Sequence, residues 1–209
     1  MQRKVNVVED LDGNKIVFIH DVRFKGKRSI EWTDIETYLK EFVGESYVIE
    51  DAKDMIYIGT DFPDEYAHSE YTTALKGVNA KAKANAAQGV PELIEIATGK
   101  EYRENNKEKH SKDAKFGWYR YFSRFAIPVC DDNGEITGYN VFHVIMVVRH
   151  AQDGKLYLYD IVNIKKKRAP FSSRKTLLSK KPISFLSPSY LIIKYKSRRK
   201  SCNIQYIGC

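Results

Sequence analysis

Three strand-like segments in the second half of the chain, joined by tight-turn signals, constrain the fold most. The segments WYRYFSRFAIPV, YNVFHVIMVVRH and KLYLYDIVNI have the period-two pattern of β-strands, and Asn133-Gly134 and Asp153-Gly154 lie in the connections between them. Asn-Gly and Asp-Gly pairs are strong signals for a β-hairpin. The pattern therefore predicts a three-stranded antiparallel meander over residues 118–164.

The first half of the chain predicts a hairpin followed by a helix. The segments KVNVVED and KIVFIHDVRF flank Asp12-Gly13, which is typical of an N-terminal β-hairpin. The segment DIETYLKEFV has apolar residues at helical spacing, and Thr33 and Glu36 fit a capping box at its start. We therefore expect an amphipathic helix after the hairpin.

Residues 72–98 are rich in alanine and lysine, and Gly89 and Pro91 interrupt them, which predicts two consecutive helices. The lysines of the first helix are interpreted as a solvated face rather than a binding stripe, and its asparagines as caps or polar contacts. These residues are Lys76, Lys81, Lys83, Asn79 and Asn85. The order of elements defines an α+β fold, with the C-terminal meander packed on the helices.

The charge of the chain is unevenly distributed. All 27 Asp and Glu lie at or before Asp160, so residues 1–160 carry 22 Lys and Arg and a net charge of −5, whereas the last 49 residues carry +13. One interpretation of the tail is a basic arm that binds phosphates, and another is that it is not a selected segment. We expect a single domain over residues 1–167 and a basic, disordered tail over residues 168–209.

Several classes of protein are disfavoured by composition and motifs. The sequence contains no apolar run of 18 residues, the length needed to span a membrane, and its three cysteines do not have the spacing of a disulfide framework or a zinc site. Motifs for nucleotide hydrolysis, zinc catalysis and thiol catalysis are missing from the sequence. The expectation is a cytoplasmic protein without a membrane partner, a metal or another cofactor.

Basic residues in two of the predicted strands can share one face of the sheet. Arg120 and Arg124 are four residues apart in the first strand, and His143 and Arg149 are six apart in the second. If the loop between the strands holds an even number of residues, position 124 pairs with position 143 and all four side chains lie on one side. An odd loop separates them.

Such a face suits metal-independent cleavage of RNA, in which the 2′-hydroxyl of the substrate is the nucleophile. Histidine can transfer protons near neutral pH, arginine binds phosphate through two donors, and tyrosine can stack on a base. The predicted catalytic residues are His110, Arg124 and His143, and the predicted substrate-binding residues are Arg120, Arg149, Tyr157 and Tyr159. The simpler alternatives are strand packing for the tyrosines and for His143, and a solvated loop for His110.

Long stretches of the chain resemble a known family. They include KIVFIHDVRFKGKRSI, MIYIGTDFPDEY, LKGVNAKAKANAAQGVPELIEIATGKEYRENNKEKH, AKFGWYRYFSRFAIPV and GKLYLYDIVNIKK. From about residue 5 to 167 the chain resembles the large polyvalent protein-associated domain family of phages and conjugative elements. The order of helices and meander is also similar, more loosely, to barnase, colicin E5 and RelE-like nucleases.

The resemblance implies an accessory domain of a mobile genetic element. Its function is expected to be that of a metal-independent endoribonuclease or toxin-like module, with RNA as the partner. The alternative is a non-catalytic binding module within a larger polyvalent mobile-element protein, with other mobile-element or host proteins as partners. The family carries over no catalytic role residue by residue.

The chain departs from the family pattern after DIVNIKK. Family members continue with an acidic residue and a Thr/Ser/Pro run, whereas this chain continues with KRAPF. A one-base insertion in the lysine codons would produce this change and would also explain the missing acidic residues. We therefore hypothesise that residues from about 167 onward are a frameshifted tail.

Overall fold

The structure is a computed structural model, and it describes most of the chain up to Lys167. The predictions about His110 and about the tail over residues 168–209 lie outside the described residues. The described residues are 3–10, 12–25, 30–105 and 113–167.

The described residues form strands and short helices that alternate along the chain. The strands are β1 (Val5–Glu9), β2 (Lys15–Ile19), β3 (Ser46–Val48), β4 (Met55–Ile58), β5 (Thr98–Arg103), β6 (Trp118–Cys130), β7 (Ile136–His150) and β8 (Leu156–Lys166). The helices are α1 (Trp32–Lys40), α2 (Phe62–His68), α3 (Glu70–Ala74), α4 (Gly77–Ala86) and α5 (Val90–Glu95), with a 3-10 turn at Ala87–Gly89 before α5.

One mixed sheet contains all eight of these strands, in the order β1-β2-β6-β7-β8-β4-β3, with β5 paired to β6 outside this order. The long strands β6, β7 and β8 are antiparallel neighbours, and β1 is antiparallel to β2. Two pairings, β2 with β6 and β4 with β8, are parallel. The predicted α+β class is confirmed, and the sheet is larger and more mixed than turn signals indicate, because parallel strands are joined by distant crossovers.

The helices cover one face of the long strands. Helices α4 and α5 contact β6, and α4 also contacts β8. Apolar side chains from both layers are fully buried there, and burial of each stabilises the fold by about 1.5–3 kcal/mol. They include Ile35, Leu39, Phe62, Tyr66, Leu93, Tyr121, Phe125, Phe142, Met146 and Leu158.

The start of α1 differs from the predicted capping box. Glu31 is the N-cap residue and accepts a hydrogen bond from the Thr33 hydroxyl, 2.7 Å from Thr33 Oγ1 to Glu31 Oε1. Glu36 instead binds Lys40 and His68 through its two carboxylate oxygens. The capping-box prediction is wrong, because the carboxylate of Glu36 binds Lys40, one helical turn further along α1, and His68 on α2 instead of the start of the helix.

Helix α4 buries polar residues that the sequence assigned differently. Lys83 is fully buried, and its ammonium lies 2.7 Å from Asp160 Oδ1 on β8. Its assignment to a solvated face is wrong, because every residue of the second half of α4, 82–86, is buried. Asn85 is also buried and binds both the backbone N–H and the carbonyl of Phe24, as a polar contact.

None of the helices in the described part of the chain has the length and apolar character needed to cross a membrane.

Candidate functional site

Arg124 and His143 lie opposite each other on β6 and β7. Five residues connect these strands, an odd number, but a one-residue register shift at Val129 and Cys130 offsets it. The bulge therefore restores the pairing that an odd loop would destroy.

Lys165 extends this pair into a row across three strands. It lies opposite His143 on β8, so Arg124, His143 and Lys165 occupy adjacent positions of β6, β7 and β8. Neighbouring strands lie about 5 Å apart, so the row spans about 10 Å. The flanking residues Phe125 and Phe142 point into the core, which places the row on the face away from the helices.

A crevice of about 650 Å³ contains this row. It forms where β6 changes its partner from β5 to β2: Phe122 pairs with Thr98, and Phe125 pairs with Val17. The row thus lies at a fork in the sheet. The crevice is also lined by polar residues from other segments, namely Asn14, Lys15, Glu50, Asp51, Glu95, Ser123 and Asn163.

Arg124 forms an ion pair with Asp10, whose Oδ2 lies 3.7 Å from Arg124 Nη1. Asp10 also accepts hydrogen bonds from the backbone N–H groups of Asp12 and Asn14, which hold the turn between β1 and β2. Burial acts to raise the pKa of Asp10, but these hydrogen bonds and the Arg124 charge outweigh it and lower the pKa. Asp10 is therefore an ionised partner for the guanidinium.

The imidazole of His143 is held in its neutral form. Partial burial lowers its pKa below the usual value, and the charges of Arg124 and Lys167 lower it further. A histidine with a lowered pKa is free to accept a proton at neutral pH. Its side chain remains accessible on the open face of the sheet.

Four further residues were predicted to bind substrate, and the structure separates them. Arg120 lies on the same face as Arg124, two positions beyond Phe122, and within the described residues its guanidinium has no ion-pair or hydrogen-bond partner. Arg149 lies about 20 Å from His143 along β7, beside Tyr157 and Tyr159 on β8.

The residues at that distant end bind acidic side chains. Arg149, which is only 17% exposed, lies 2.7 Å from Asp61. The Tyr157 hydroxyl donates to Asp153 at 2.8 Å. Burial raises the pKa of Tyr159, and its hydrogen bond to Glu65 raises it further. The structure therefore brings Arg124 and His143 together, with Arg120 nearby, and places the other three outside the crevice.

Sequence reasoning missed Lys165 and the residues contributed by the loops. Lys165 was not selected because the bulges in β8 hide its register with β7. Lys15 begins β2, and the parallel pairing of β2 with β6 places it at the crevice. Glu50 lies in the segment between β3 and β4. No local sequence motif indicates that either residue lines the crevice.

A second group of polar residues lies on the helical layer. Ligand atoms of Glu36, Asp64 and His68 all lie within 4.8 Å of one another, a spacing at which they could hold a metal ion. Glu36 already binds Lys40 at 2.7 Å and His68 at 3.0 Å. A half-buried glutamate that is paired in this way, beside the exposed Asp64 and His68, does not by itself indicate a ligand.

Comparisons of the chain with known protein families, curated proteins and solved structures find no match. Its function is therefore inferred from the geometry of the crevice.

Proposed function

We propose that the chain is a metal-independent ribonuclease that cleaves RNA in the crevice at Arg124, His143 and Lys165. The observation that carries the proposal is the row of these three side chains on adjacent strands. It combines a neutral histidine with two cations, within reach of one phosphodiester group. A base and phosphate-binding groups are two of the three requirements of this reaction, and the third is a general acid for the leaving oxygen.

Each residue has a role in the reaction. The neutral His143 removes the proton of the 2′-hydroxyl, and the 2′-oxygen attacks the adjacent phosphorus. Arg124 and Lys165 stabilise the negative charge that develops on the phosphate oxygens. The bond to the 5′-oxygen breaks, which leaves a 2′,3′-cyclic phosphate and a 5′-hydroxyl.

The leaving 5′-oxygen takes a proton from a general acid. His110 is the residue that the sequence predicts for this step, and it lies outside the described residues. The proposal includes an accessory or toxin-like role for such an activity in a mobile genetic element, which is the role that the sequence resemblance implies.

A second candidate function is a non-catalytic module that binds its partner through the same crevice. The ion pair between Arg124 and Asp10 favours it, because a carboxylate 3.7 Å from the guanidinium competes with an incoming phosphate. Carboxylates on the crevice wall, such as Glu50 and Asp51, also reduce its positive charge. Glu50 is already paired with Lys15, so a basic group on a protein partner would be a ligand for Asp51.

The test is cleavage of a fluorogenic single-stranded RNA by the full chain, with EDTA and separately with Mg²⁺. Replacing His143 with alanine should reduce the rate about 100- to 10,000-fold, the usual effect of losing a general base. Arg124→Ala should also lower the rate. The matched control is Arg103→Ala, since Arg103 is 57% exposed, binds only Glu101 among the described residues, and does not line the crevice.

Three results decide between the candidates. Cleavage in EDTA that depends on His143 and Arg124 but not on Arg103 supports the ribonuclease. Folded wild-type protein that leaves several RNA sequences intact contradicts it and favours the binding module. Equal loss in all three variants shows that the activity does not arise in the crevice.

A further inference from the structure

We infer that Phe122 stacks on an unpaired base and makes the crevice selective for single-stranded RNA. This inference rests on the proposed function, because it describes how the substrate enters the same crevice. Phe122 lines the crevice, and 38% of its surface is exposed in the middle of the long strand β6. An exposed phenylalanine between two exposed or half-exposed arginines is not explained by core packing.

The ring of Phe122 is supported from one side by Gly99. A Cβ atom added to Gly99 would lie 2.8 Å from Phe122 Cδ2 and 3.3 Å from Cε2. Gly99 has a φ of +69°, a conformation that glycine adopts readily. The close approach of the backbone fixes the ring, and the remaining ring surface is available in the crevice.

The neighbours of Phe122 on the same face fit a nucleic-acid strand. Arg120 and Arg124 lie two residues away on either side, about 7 Å along the strand. The strand therefore presents cation, aromatic ring and cation in turn. Phosphates of one nucleic-acid strand can bind the arginines while the base between them stacks on the ring.

Stacking of this kind requires an unpaired base. In a duplex each base is already stacked on its neighbours and paired, so its face is not accessible to a side chain. In single-stranded RNA a base can be splayed out onto an aromatic ring. The order of Arg120, Phe122 and Arg124 along β6 therefore favours single strands. It also places the phosphate next to the stacked base close to Arg124 and His143.

The basic tail of the chain is a poor occupant of this surface. Residues 168–209 contain no acidic residue, and Arg120, Arg124 and Lys165 on the open face repel positive charge. An anionic strand is attracted to the same residues. At Arg120, Arg124 and Lys165, charge complementarity thus favours a nucleic acid over the tail.

The experiment measures binding of uncleavable probes by the full chain at fixed ionic strength. The probes are a fluorescein-labelled 2′-O-methyl RNA oligonucleotide and the same oligonucleotide in a duplex. We expect Phe122→Leu to weaken binding of the single strand about 5- to 150-fold, the loss of one stacked base, and to change duplex binding less than twofold. Phe122→Trp should restore single-strand binding.

Phe116→Leu is the matched control, since Phe116 is 44% exposed but contacts His150 instead of the crevice. Thermal unfolding of each variant shows whether it remains folded. Equal binding by wild type and folded Phe122→Leu, or tighter binding of the duplex by wild type, overturns the inference. So does a Phe116→Leu variant that loses as much affinity as Phe122→Leu.

The design separates this inference from the proposed ribonuclease. The 2′-O-methyl probe cannot be cleaved, because its 2′-oxygen carries no proton for a base to remove, so its binding is measured separately from cleavage. Binding that depends on Phe122 without any RNA cleavage supports the inference and refutes the ribonuclease. Cleavage that depends on His143, together with probe binding that is unchanged in Phe122→Leu, supports the ribonuclease and refutes the inference about Phe122.

Discussion

The buried pair of Lys83 and Asp160 provides the sharpest test of the fold. Their side chains are 0% and 4% exposed, and their charged atoms lie 2.7 Å apart. Lys83 Nζ also donates to the Thr72 hydroxyl at 2.6 Å, and the Ser69 hydroxyl donates to Asp160 at 2.9 Å. Substitution of one member leaves the other charge buried without a counterion.

The expected loss of stability follows from two opposing free energies, the attraction between the two charges and the cost of removing them from water. At an effective dielectric constant of about 20, two charges 2.7 Å apart attract by about 6 kcal/mol. Removing each ion from water costs several kcal/mol, so the intact pair contributes little net free energy to folding. Burial accordingly lowers the pKa of Lys83 and raises that of Asp160, while the attraction between them opposes both changes.

We expect Lys83→Met or Asp160→Asn alone to reduce the free energy of unfolding by about 3–5 kcal/mol. For a chain of this size the loss corresponds to a decrease in Tm of roughly 6–20 °C. The double variant Lys83→Met/Asp160→Asn should lose less than the sum of the single variants, by about 2 kcal/mol or more. The measurement is denaturant unfolding followed by circular dichroism.

Lys81→Met is the matched control, since Lys81 lies on the same helix and is exposed. It should change stability by less than about 0.5 kcal/mol. A Lys83→Met effect as small as that of Lys81→Met, or single effects that add without coupling, would show that Lys83 and Asp160 are not a buried ion pair.

Four further predictions follow from the contacts of His143, Asn85 and Gly117. Protonation of His143 should occur below its ordinary pKa, so NMR titration should give a value below about 6.5, and Arg124→Ala should raise that value because it removes a nearby positive charge. The cleavage rate should fall as the pH falls through this pKa, because the protonated imidazole cannot accept a proton. Asn85→Ala should cost about 1–3 kcal/mol in denaturant unfolding, because it leaves the buried N–H and C=O groups of Phe24 without their partner. Gly117→Ala should cost about 1–3 kcal/mol by thermal unfolding, since Gly117 has a φ of +87° and a Cβ atom there would lie 2.9 Å from a backbone carbonyl oxygen.

Controls for these predictions lie in the same chain. Asn79→Ala should be milder than Asn85→Ala, because Asn79 lies on the same helix but is only half-buried. Gly134→Ala should be milder than Gly117→Ala, because Gly134 shares a positive φ but has open space around it. Equal effects within either pair, or a pKa of His143 that does not respond to Arg124→Ala, would contradict the corresponding prediction.

The α+β class could be predicted because its signals are local. Apolar spacing within α1 and alternation within β7 each reflect one segment of chain, and the structure contains both elements. The pairing of Arg124 with His143 was predicted only conditionally. It depends on a bulge near Cys130, and nothing in the local sequence distinguishes a bulged strand from a regular one.

The rest of the site depends on contacts between distant segments. The fork in the sheet requires β2 to pair in parallel with β6, more than 100 residues along the chain. Lys83 was assigned to solvent because lysine is rarely buried unless paired, and its partner Asp160 lies 77 residues away. Tertiary pairing, rather than residue type, decides both positions.

Analysis of the product ends tests the central claim most directly. Single-stranded RNA incubated with the full chain in EDTA is examined by mass spectrometry. Attack by the 2′-oxygen with His143 as the base predicts 2′,3′-cyclic phosphate and 5′-hydroxyl ends, and no cleavage at a position where the nucleotide is 2′-deoxy. Intact RNA, or products with 3′-hydroxyl and 5′-phosphate ends, would contradict the proposed reaction at Arg124, His143 and Lys165.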